Sequence, residues 1–362
     1  MNTPQAQSTP QVTVIVVPRE RFSMARESLE SLLNETHHPY KLLYVDNNSP
    51  AKLRRYLAGK AESEDFEIVR SDRYLSPNAA RNLALKQVTT PYVAFVDNDV
   101  IFAPGWLEAL VNCSEATGAT VVGSLVCQYR PVHEIVHCIG GHYLSEDERD
   151  RFIATQGEGG GWTIEEVTPL QNQRIEEVGD RLQRSPTDFV EFHSMLVRTE
   201  IFDRIGLLDE GFPCTKEYID FGMAVTLAGG SIYFEPTSVV TFLTHPPAPL
   251  LAWSDLPYFM LRWSDAWERE NLLHFQAKWN LANSKYFQRR LTKLGWRRRK
   301  ALIDPIMQRF DWLNQPTKTW LKKRLVTAEK QLNRWVTDRH DRAAPAPARA
   351  SQPDETSLSP VA

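Results

Sequence analysis

The chain has 362 residues, 42% hydrophobic and 24% charged, an ordinary globular composition with enough length to bury a substantial core. Its net charge of −3 hides an asymmetry: residues 1–280 carry 24 Lys and Arg against 38 Asp and Glu, a balance of −14, whereas residues 281–362 carry 18 against 7, a balance of +11. The four cysteines, Cys113, Cys127, Cys138 and Cys214, form no C-x-x-C pair, and no apolar run reaches the roughly 18 residues of a membrane helix. The opening MNTPQAQSTPQ lacks the basic-then-apolar pattern of a secretory signal. These features argue against a disulfide scaffold and a membrane-spanning protein. They predict a cytoplasmic protein, acidic in its body and basic toward its end, with room for peripheral membrane contact.

In chain order, VTVIVVP (Val12–Pro18) is a short β-branched run that ends in Pro and predicts a buried strand. SMARESLESLLNET (Ser23–Thr36) carries apolar residues at helical spacing, with Ser23 as the expected N-cap. YKLLYVDNNSP (Tyr40–Pro50) predicts a second strand, and FEIVRSD (Phe66–Asp72) a third after an intervening helix. SPNAARNLALKQV (Ser76–Val88) predicts a helix and YVAFVDND (Tyr92–Asp99) a fourth strand. Continuous apolar strands alternating with helices imply an α/β fold, a parallel sheet covered on both faces. Ligands of such sheets bind at the carboxyl ends of the strands, where Asp46 and the Asp97–Asp99 run fall.

Beyond Gln128 the pattern weakens. Ser145–Asp150 and GEGGGW (Gly157–Trp162) read either as loops or as an inserted lobe with one helix. Asp188–Phe212 then reads as strand, helix and turn, Glu217–Gly230 as a helix closed by glycines, and Ser231–His245 as a pair of strands. From Leu250 the pattern is helical and holds eight tryptophans. The last twenty residues are a low-complexity tail expected to be disordered.

Asp97 and Asp99, one residue apart at a strand end, repel each other unless something positive stands between them. A divalent cation, a basic side chain and bulk solvent are the three possibilities. HEIVH (His133–His137) spells the zinc-protease pattern, but Gly140 and Gly141 follow where its helix should continue, so we expect a strand there. His137 remains a residue that can touch a substrate.

Taken together, VTVIVVP, YKLLYVDNNSP, PNAARNLAL and YVAFVDNDV resemble the nucleotide-sugar half of a family 2 glycosyltransferase with the GT-A fold. IGLLDEGF and EYIDFGMAVTLAGGSIYFEP resemble the acceptor half, so the likeness spans about residues 12–245. It implies a GT-A Rossmann-like core, a helical C-terminal extension, and metal-assisted transfer of a sugar from a nucleotide-sugar donor with inversion. Hard carboxylate oxygens suit Mn²⁺ or Mg²⁺. On this resemblance Asp97 and Asp99 hold the metal, Asp99 most directly, with His245 as a further ligand if the loop Thr244–Pro247 is not merely a connection.

The donor would be met by Pro18, Arg19, Asp46, Asn78, Arg81, Asp97 and Asn98. Asp46 has an alternative as an Asx-turn with Ser49, and Arg81 as a salt bridge to one of the acids. The run VPRERFS departs from the family's usual pattern after the first strand. The catalytic base falls in Glu217-Tyr218-Ile219-Asp220, where tyrosine stands in place of the family's second acid. Glu217 is favoured and Asp220 is expected to orient a neighbour.

The implied organisation is a flexible segment 1–11, a donor half 12–127, an acceptor half 128–249, a basic tryptophan-rich extension 250–342 and a tail 343–362. Expected partners are the nucleotide sugar, a glycan, lipid or small-molecule acceptor, and an anionic membrane surface or the acidic body itself for the basic helices. No nucleic acid is expected. Two other readings stand beside the transferase: a catalytically silent sugar- or nucleotide-binding scaffold, and a nucleotidyltransferase, although the glycine-rich phosphate loop of the latter is missing.

Overall fold

A computed structural model describes residues 10–244 and 251–343. The expected tail and most of the N-terminal segment lie outside them, as does His245.

The first half follows the predicted rhythm: β1 (Val12–Val17), α1 (Ala25–Glu35), β2 (Tyr40–Asn47), α2 (Ala51–Glu64), β3 (Glu67–Ser71), α3 (Pro77–Leu85) and β4 (Tyr92–Asp97). These four strands pair in parallel in the order β3-β2-β1-β4. Their side chains alternate between two cores. Val12, Val14, Val16, Leu42 and Tyr44 enter the core beneath α1, and Ile15, Val17, Leu43 and Val45 the core beneath α3. Both faces are therefore covered, which is why these strands read as unbroken apolar runs.

The sheet continues with β5 (Val100–Phe102), α4 (Trp106–Thr117), β6 (Val121–Gln128), β7 (Ile135–Cys138), α5 (Glu146–Ala154), α6 (Ile175–Val178), β8 (Ser185–Pro186), β9 (Ser194–Arg198), α7 (Ile201–Ile205), α8 (Glu217–Leu227) and β10 (Ile232–Phe242). Here the pairing is mixed. β9 is antiparallel to both β4 and β6, while β6 and β10 are parallel.

Two local expectations are corrected and one open alternative is resolved. Ser23 does not cap α1; the helix starts at Ala25, and Ser23 instead donates from its backbone N and from Oγ to the two Asp255 carboxylate oxygens. The acidic run after Ser145 is the first turn of α5, with Ser145 Oγ accepting from the Glu148 N–H, because acids beside a Ser cap complement the helix dipole. The predicted strand pair over Ser231–His245 is the single strand β10, which bulges between Glu235 and Val239 around Pro236, a residue with no N–H to donate to the ladder. HEIVH is no helix: it forms a turn and β7.

The extension comprises α9 (Leu256–Arg262), α10 (Asp265–Lys278), α11 (Lys285–Thr292), α12 (Trp296–Arg298), α13 (Asp304–Gln308) and α14 (Gln315–Ala343). It docks on the body through specific polar contacts. Arg262 Nη1 lies 3.1 Å from Glu20 Oε2, Trp263 Nε1 donates to Glu20 Oε1 at 2.9 Å, and Lys278 reaches Asp209 and Asp220, both at 2.7 Å. Among the described residues no helix is long and apolar enough to cross a membrane.

Candidate active site

Parallel pairing delivers β1, β2 and β4 to one edge of the sheet, with Val17 in register with Asp97. β9 runs the other way, with Ser194 opposite Val96. The residue preceding β9, His193, therefore begins where β4 ends, and the Asp97 N–H donates to the His193 carbonyl.

Asp97 is the hub of this edge. Its Oδ2 lies 2.8 Å from His193 Nδ1 and 3.0 Å from Arg19 Nη1, and its Oδ1 lies 3.7 Å from Arg81 Nη2. Burial pushes Asp97 up, but Arg19, His193 and Arg81 outweigh it and hold the carboxyl well below its ordinary range. Asp99 is less well compensated: among the described residues its ion-pair partner is Arg21, whose Nε is 4.0 Å away. Burial, and then the charge of Asp97, raise it above the usual carboxylate range. Arg19 shows the converse: burial opposes its charge, and Asp97, Glu20, Asp99 and Glu217 together keep it raised.

Asp97 Oδ1 and Asp99 Oδ1 are both buried without a hydrogen-bond partner among the described residues. Two orphaned carboxylate oxygens on one turn suit a hard divalent cation, so the residues present fit the metal that the sequence implies. Arg19 and Arg21 stand over them and line the adjoining cavity, which has a volume of about 360 Å³. Both arginines come from VPRERFS, the run that departs from the family pattern.

Across the cavity, α8 presents Glu217 at its first position. The residue before it, Lys216, is a left-handed N-cap with φ 69°, a costly conformation for a side chain of this kind. It is anchored by Glu166, whose two oxygens accept from Lys216 Nζ at 2.5 and 2.6 Å. Gly222 lets the helix approach closely, since a Cβ there would meet the Asp188 carbonyl at 2.5 Å. Glu217 Oε1 lies 3.5 Å from Arg81 Nη1, while Oε2 is buried with no hydrogen-bond partner among the described residues. Arg81 thus bridges Asp97 to Glu217, with its guanidinium 3.8 Å from the centroid of the Phe192 ring. The salt bridge considered as an alternative for Arg81 is present, and to both acids.

Other predicted residues are committed elsewhere. Asp220 does not share the destination of Glu217: its Oδ1 accepts from Trp279 Nε1 and Lys278 Nζ, both at 2.7 Å, so it fastens α10. One turn of α8 separates the two acids, enough to aim one at the cavity and the other at the extension. Asn78 donates to the Asp209 carbonyl at 2.8 Å and accepts from Arg81 at 3.0 Å, which positions Arg81. Asn98 accepts the Arg19 N–H at 2.8 Å and donates to the Arg21 carbonyl, clamping the turn after the buried Pro18. Asp46 accepts from the Ser49 N–H at 2.9 Å, the Asx-turn alternative, and also pairs with Arg70.

Two contributions escaped the sequence reading. His193 and Glu191 sit in the loop before β9 and line the cavity; an E-x-H pair before an apolar run was the available signal. The extension builds a further wall with Arg262, Trp263, Arg290, Trp296, Arg297 and Lys300.

The sequence profile of glycosyl transferase family 2 matches residues 13–206, more than half of the chain. Among curated relatives, the hyaluronan synthase of Pasteurella multocida is 22% identical over 65% of this chain and 25% of its own length. The pre-mycofactocin glycosyltransferase of Mycobacterium tuberculosis is 33% identical over 30% of this chain and 22% of its own. The glucosyl-dolichyl phosphate glucuronosyltransferase of Haloferax volcanii is 27% identical over 32% of this chain and 39% of its own. The chain thus spans well under half the length of these relatives. Of the solved structures, GalNAc-T7 with UDP, GalNAc and Mn²⁺ superposes with a TM-score of 0.48 at 14% identity, covering 80% of this chain and 58% of the other. The mannosyltransferase PcManGT of Pyrobaculum calidifontis, with GDP-Man and Mn²⁺, gives 0.45 at 15% identity, covering 94% and 86%. On the profile match, which takes in β1 to β9 and the Asp97–Asp99 run, the chain belongs to glycosyl transferase family 2.

Proposed function

We propose that the chain transfers a sugar from a nucleotide-sugar donor to an acceptor hydroxyl in one inverting displacement, assisted by Mn²⁺ or Mg²⁺. The observation that carries the reading is the buried Glu217 Oε2, which has no hydrogen-bond partner among the described residues, on a cavity also lined by Arg19 and Arg21, ion-pair partners of Asp97 and Asp99. A carboxylate with a free oxygen is the group needed to take the acceptor's proton. Asp97 and Asp99 would hold the cation, which when bound supplies Lewis-acid stabilisation of the departing diphosphate. Arg19 and Arg21 offer guanidiniums to the same phosphates. Arg81 ties the position of Glu217 to that of Asp97, so base and donor site keep one geometry. Family membership and relatives named for sugar transfer support the class of reaction; the acceptor is a glycan, lipid or small molecule.

Isothermal titration with a panel of sugar nucleotides, with and without Mn²⁺, followed by assay of nucleotide diphosphate release, tests the reading. Mn²⁺-dependent binding with release is expected. Binding without release, whatever acceptor is added, would make the chain a sugar-nucleotide-binding scaffold.

Peripheral contact with an anionic membrane belongs to the same reading, on the evidence of α14. This helix is inverted: it buries Glu329, Asn333 and Thr337 and exposes Trp320, Leu332 and Trp335. Glu329 and Asn333 are occupied inside, with Arg298 and the Met260 carbonyl. The outer face carries tryptophan among cations, eight Lys and Arg against three acids along the helix, a pattern suited to anionic headgroups. Flotation of the Trp320→Ala/Trp335→Ala protein with phosphatidylserine vesicles should fall well below that of the unaltered chain. Equal flotation of the two proteins, or equal binding to neutral vesicles, would overturn the membrane contact.

A further inference from the structure

A second cavity, of about 500 Å³, adjoins the first and shares Thr215, Arg290, Trp296 and Arg297 with it. Its walls come from Thr215 and from α10, α11 and α12 with the turn between the last two, so none of its residues lies within 13–206, the span that the family profile matches. Among the described residues the donor edge of the sheet contributes nothing to it.

Leu272, Tyr286, Leu294 and Trp296 give this cavity apolar surface. Lys285, Arg289, Arg290, Lys293 and Arg297 bring five cations against a single acid, Glu268, among the described residues. Glu268 is already engaged, since its Oε2 accepts the Gly295 N–H at 2.8 Å. Arg290 is engaged too, with Glu166 at 2.9 Å. Lys285, Arg289, Lys293 and Arg297 make no ion pair among the described residues. Arg297 is steadied by Trp263, whose ring centroid lies 4.2 Å from its guanidinium.

Helix electrostatics explain only part of this placement. Arg289 and Arg290 stand in the last turn of α11, where cations complement the dipole. Lys285 occupies the first position of the same helix, the end that disfavours a cation. Lys285, Arg289 and Lys293 also follow at four-residue spacing, and like charges one turn apart repel. An anion lying among them reverses the sign of both effects. Guanidinium forks and ammonium groups around one cavity suit a phosphate monoester, with two negative charges on one small group, better than a lone carboxylate.

The cavity is also tied to the proposed base. Thr215 stands two residues before Glu217, and Arg290 shares the Glu166 carboxylate with Lys216, the residue that precedes Glu217. We propose that the second cavity binds the phosphate of a phosphorylated acceptor, whose hydroxyl end lies in the first cavity with Glu217; the proposal rests on the transferase reading. The five cations then select the acceptor, while Arg19 and Arg21 serve the donor.

The test is calorimetry on the full chain in EDTA, without nucleotide. Glucose 6-phosphate is titrated beside glucose, and octyl phosphate beside octyl glucoside. At least one phosphate should bind, with its uncharged counterpart weaker by about tenfold or more, the scale of a charged hydrogen bond. Tighter binding of glucose 6-phosphate identifies a phosphorylated sugar as the acceptor, and tighter binding of octyl phosphate a phosphorylated lipid. The exposed pair Arg289→Ala/Lys293→Ala should weaken that binding by about tenfold or more, and Asp99→Asn should leave it unchanged. Equal binding of each phosphate and its neutral counterpart would overturn the proposal. So would full retention in the double variant, or loss in Asp99→Asn, which would put the phosphate at the donor edge. Mn²⁺-dependent sugar-nucleotide binding, measured separately on the unaltered chain, reports on the transferase reading by itself.

Discussion

Arg81 Nη1 lies 3.5 Å from Glu217 Oε1, and Arg81 Nη2 lies 3.7 Å from Asp97 Oδ1, so one buried guanidinium joins the proposed base to the donor edge of the sheet. Removing it takes from Glu217 the ion-pair partner it has among the described residues and from Asp97 one of three neighbouring cations. Arg81→Ala should lower stability by about 3–5 kcal/mol, the typical cost of breaking a buried ion pair from one side. Denaturant unfolding checks this; a loss under about 1 kcal/mol, the scale of an exposed pair, would mean that solvent already screens the bridge.

Among the described residues Asp99 makes no hydrogen bond through Oδ1, and its ion-pair partner Arg21 is 4.0 Å away. Asp99→Ala should therefore leave the thermal transition close to that of the unaltered chain while abolishing the Mn²⁺-dependent part of nucleotide diphosphate binding. Titration calorimetry with and without Mn²⁺ separates the two effects. Unchanged nucleotide affinity in the variant with Mn²⁺ present would remove Asp99 from the metal site.

Acid should release the extension from the body. Burial works against the charges of Glu20 and Glu166, yet Arg262 leads the groups that outweigh it at Glu20, and Lys216 followed by Arg290 of the extension those at Glu166, lowering each carboxyl to about 2. A folded value below the unfolded one, roughly 4.3, stabilises the fold above that pH and is lost as pH falls toward 2, on the order of 3 kcal/mol for each group. Trp263, which donates to Glu20, is the natural reporter. Its fluorescence should change over that acid window in the unaltered chain and much less steeply in Glu20→Gln/Glu166→Gln. The same acid dependence in both proteins would dissociate these two carboxylates from docking.

The strands of the first half were legible because each is apolar on both faces, and parallel pairing aligns their ends by rule. Hence Asp97, Asp99 and Arg19 could be placed at one edge from sequence. What was hidden depends on antiparallel or distant packing. His193 reaches Asp97 only because β9 runs against β4, a direction that an apolar run does not encode. The run Ser145–Asp150 stayed open between loop and helix because acids in a first turn and acids in a loop look alike without the cap. The cationic wall from Arg290, Arg297 and Lys300 comes from helices that pack against the cavity, and their basic composition suggested a membrane surface or the acidic body without pointing to the site.

Asp220 and Glu217 look equivalent in sequence, three residues apart in one helical turn, and the structure gives them opposite surroundings. Asp220 is held by Lys278 and Trp279, so Asp220→Asn should loosen α10 and lower stability with a modest effect on turnover once folded. Thermal unfolding and steady-state assay together check it. Complete loss of turnover with unchanged stability would shift the chemical role to Asp220.

The most direct test of the transferase account is single-turnover transfer by Glu217→Gln, with donor affinity measured on the same preparation. Gln keeps the shape and the Arg81 contact but cannot take a proton. The account predicts nucleotide-sugar affinity within about twofold of the unaltered chain and a fall in the rate of transfer of at least 10²-fold, the lower bound for losing a general base. Near-normal transfer by Glu217→Gln would contradict it.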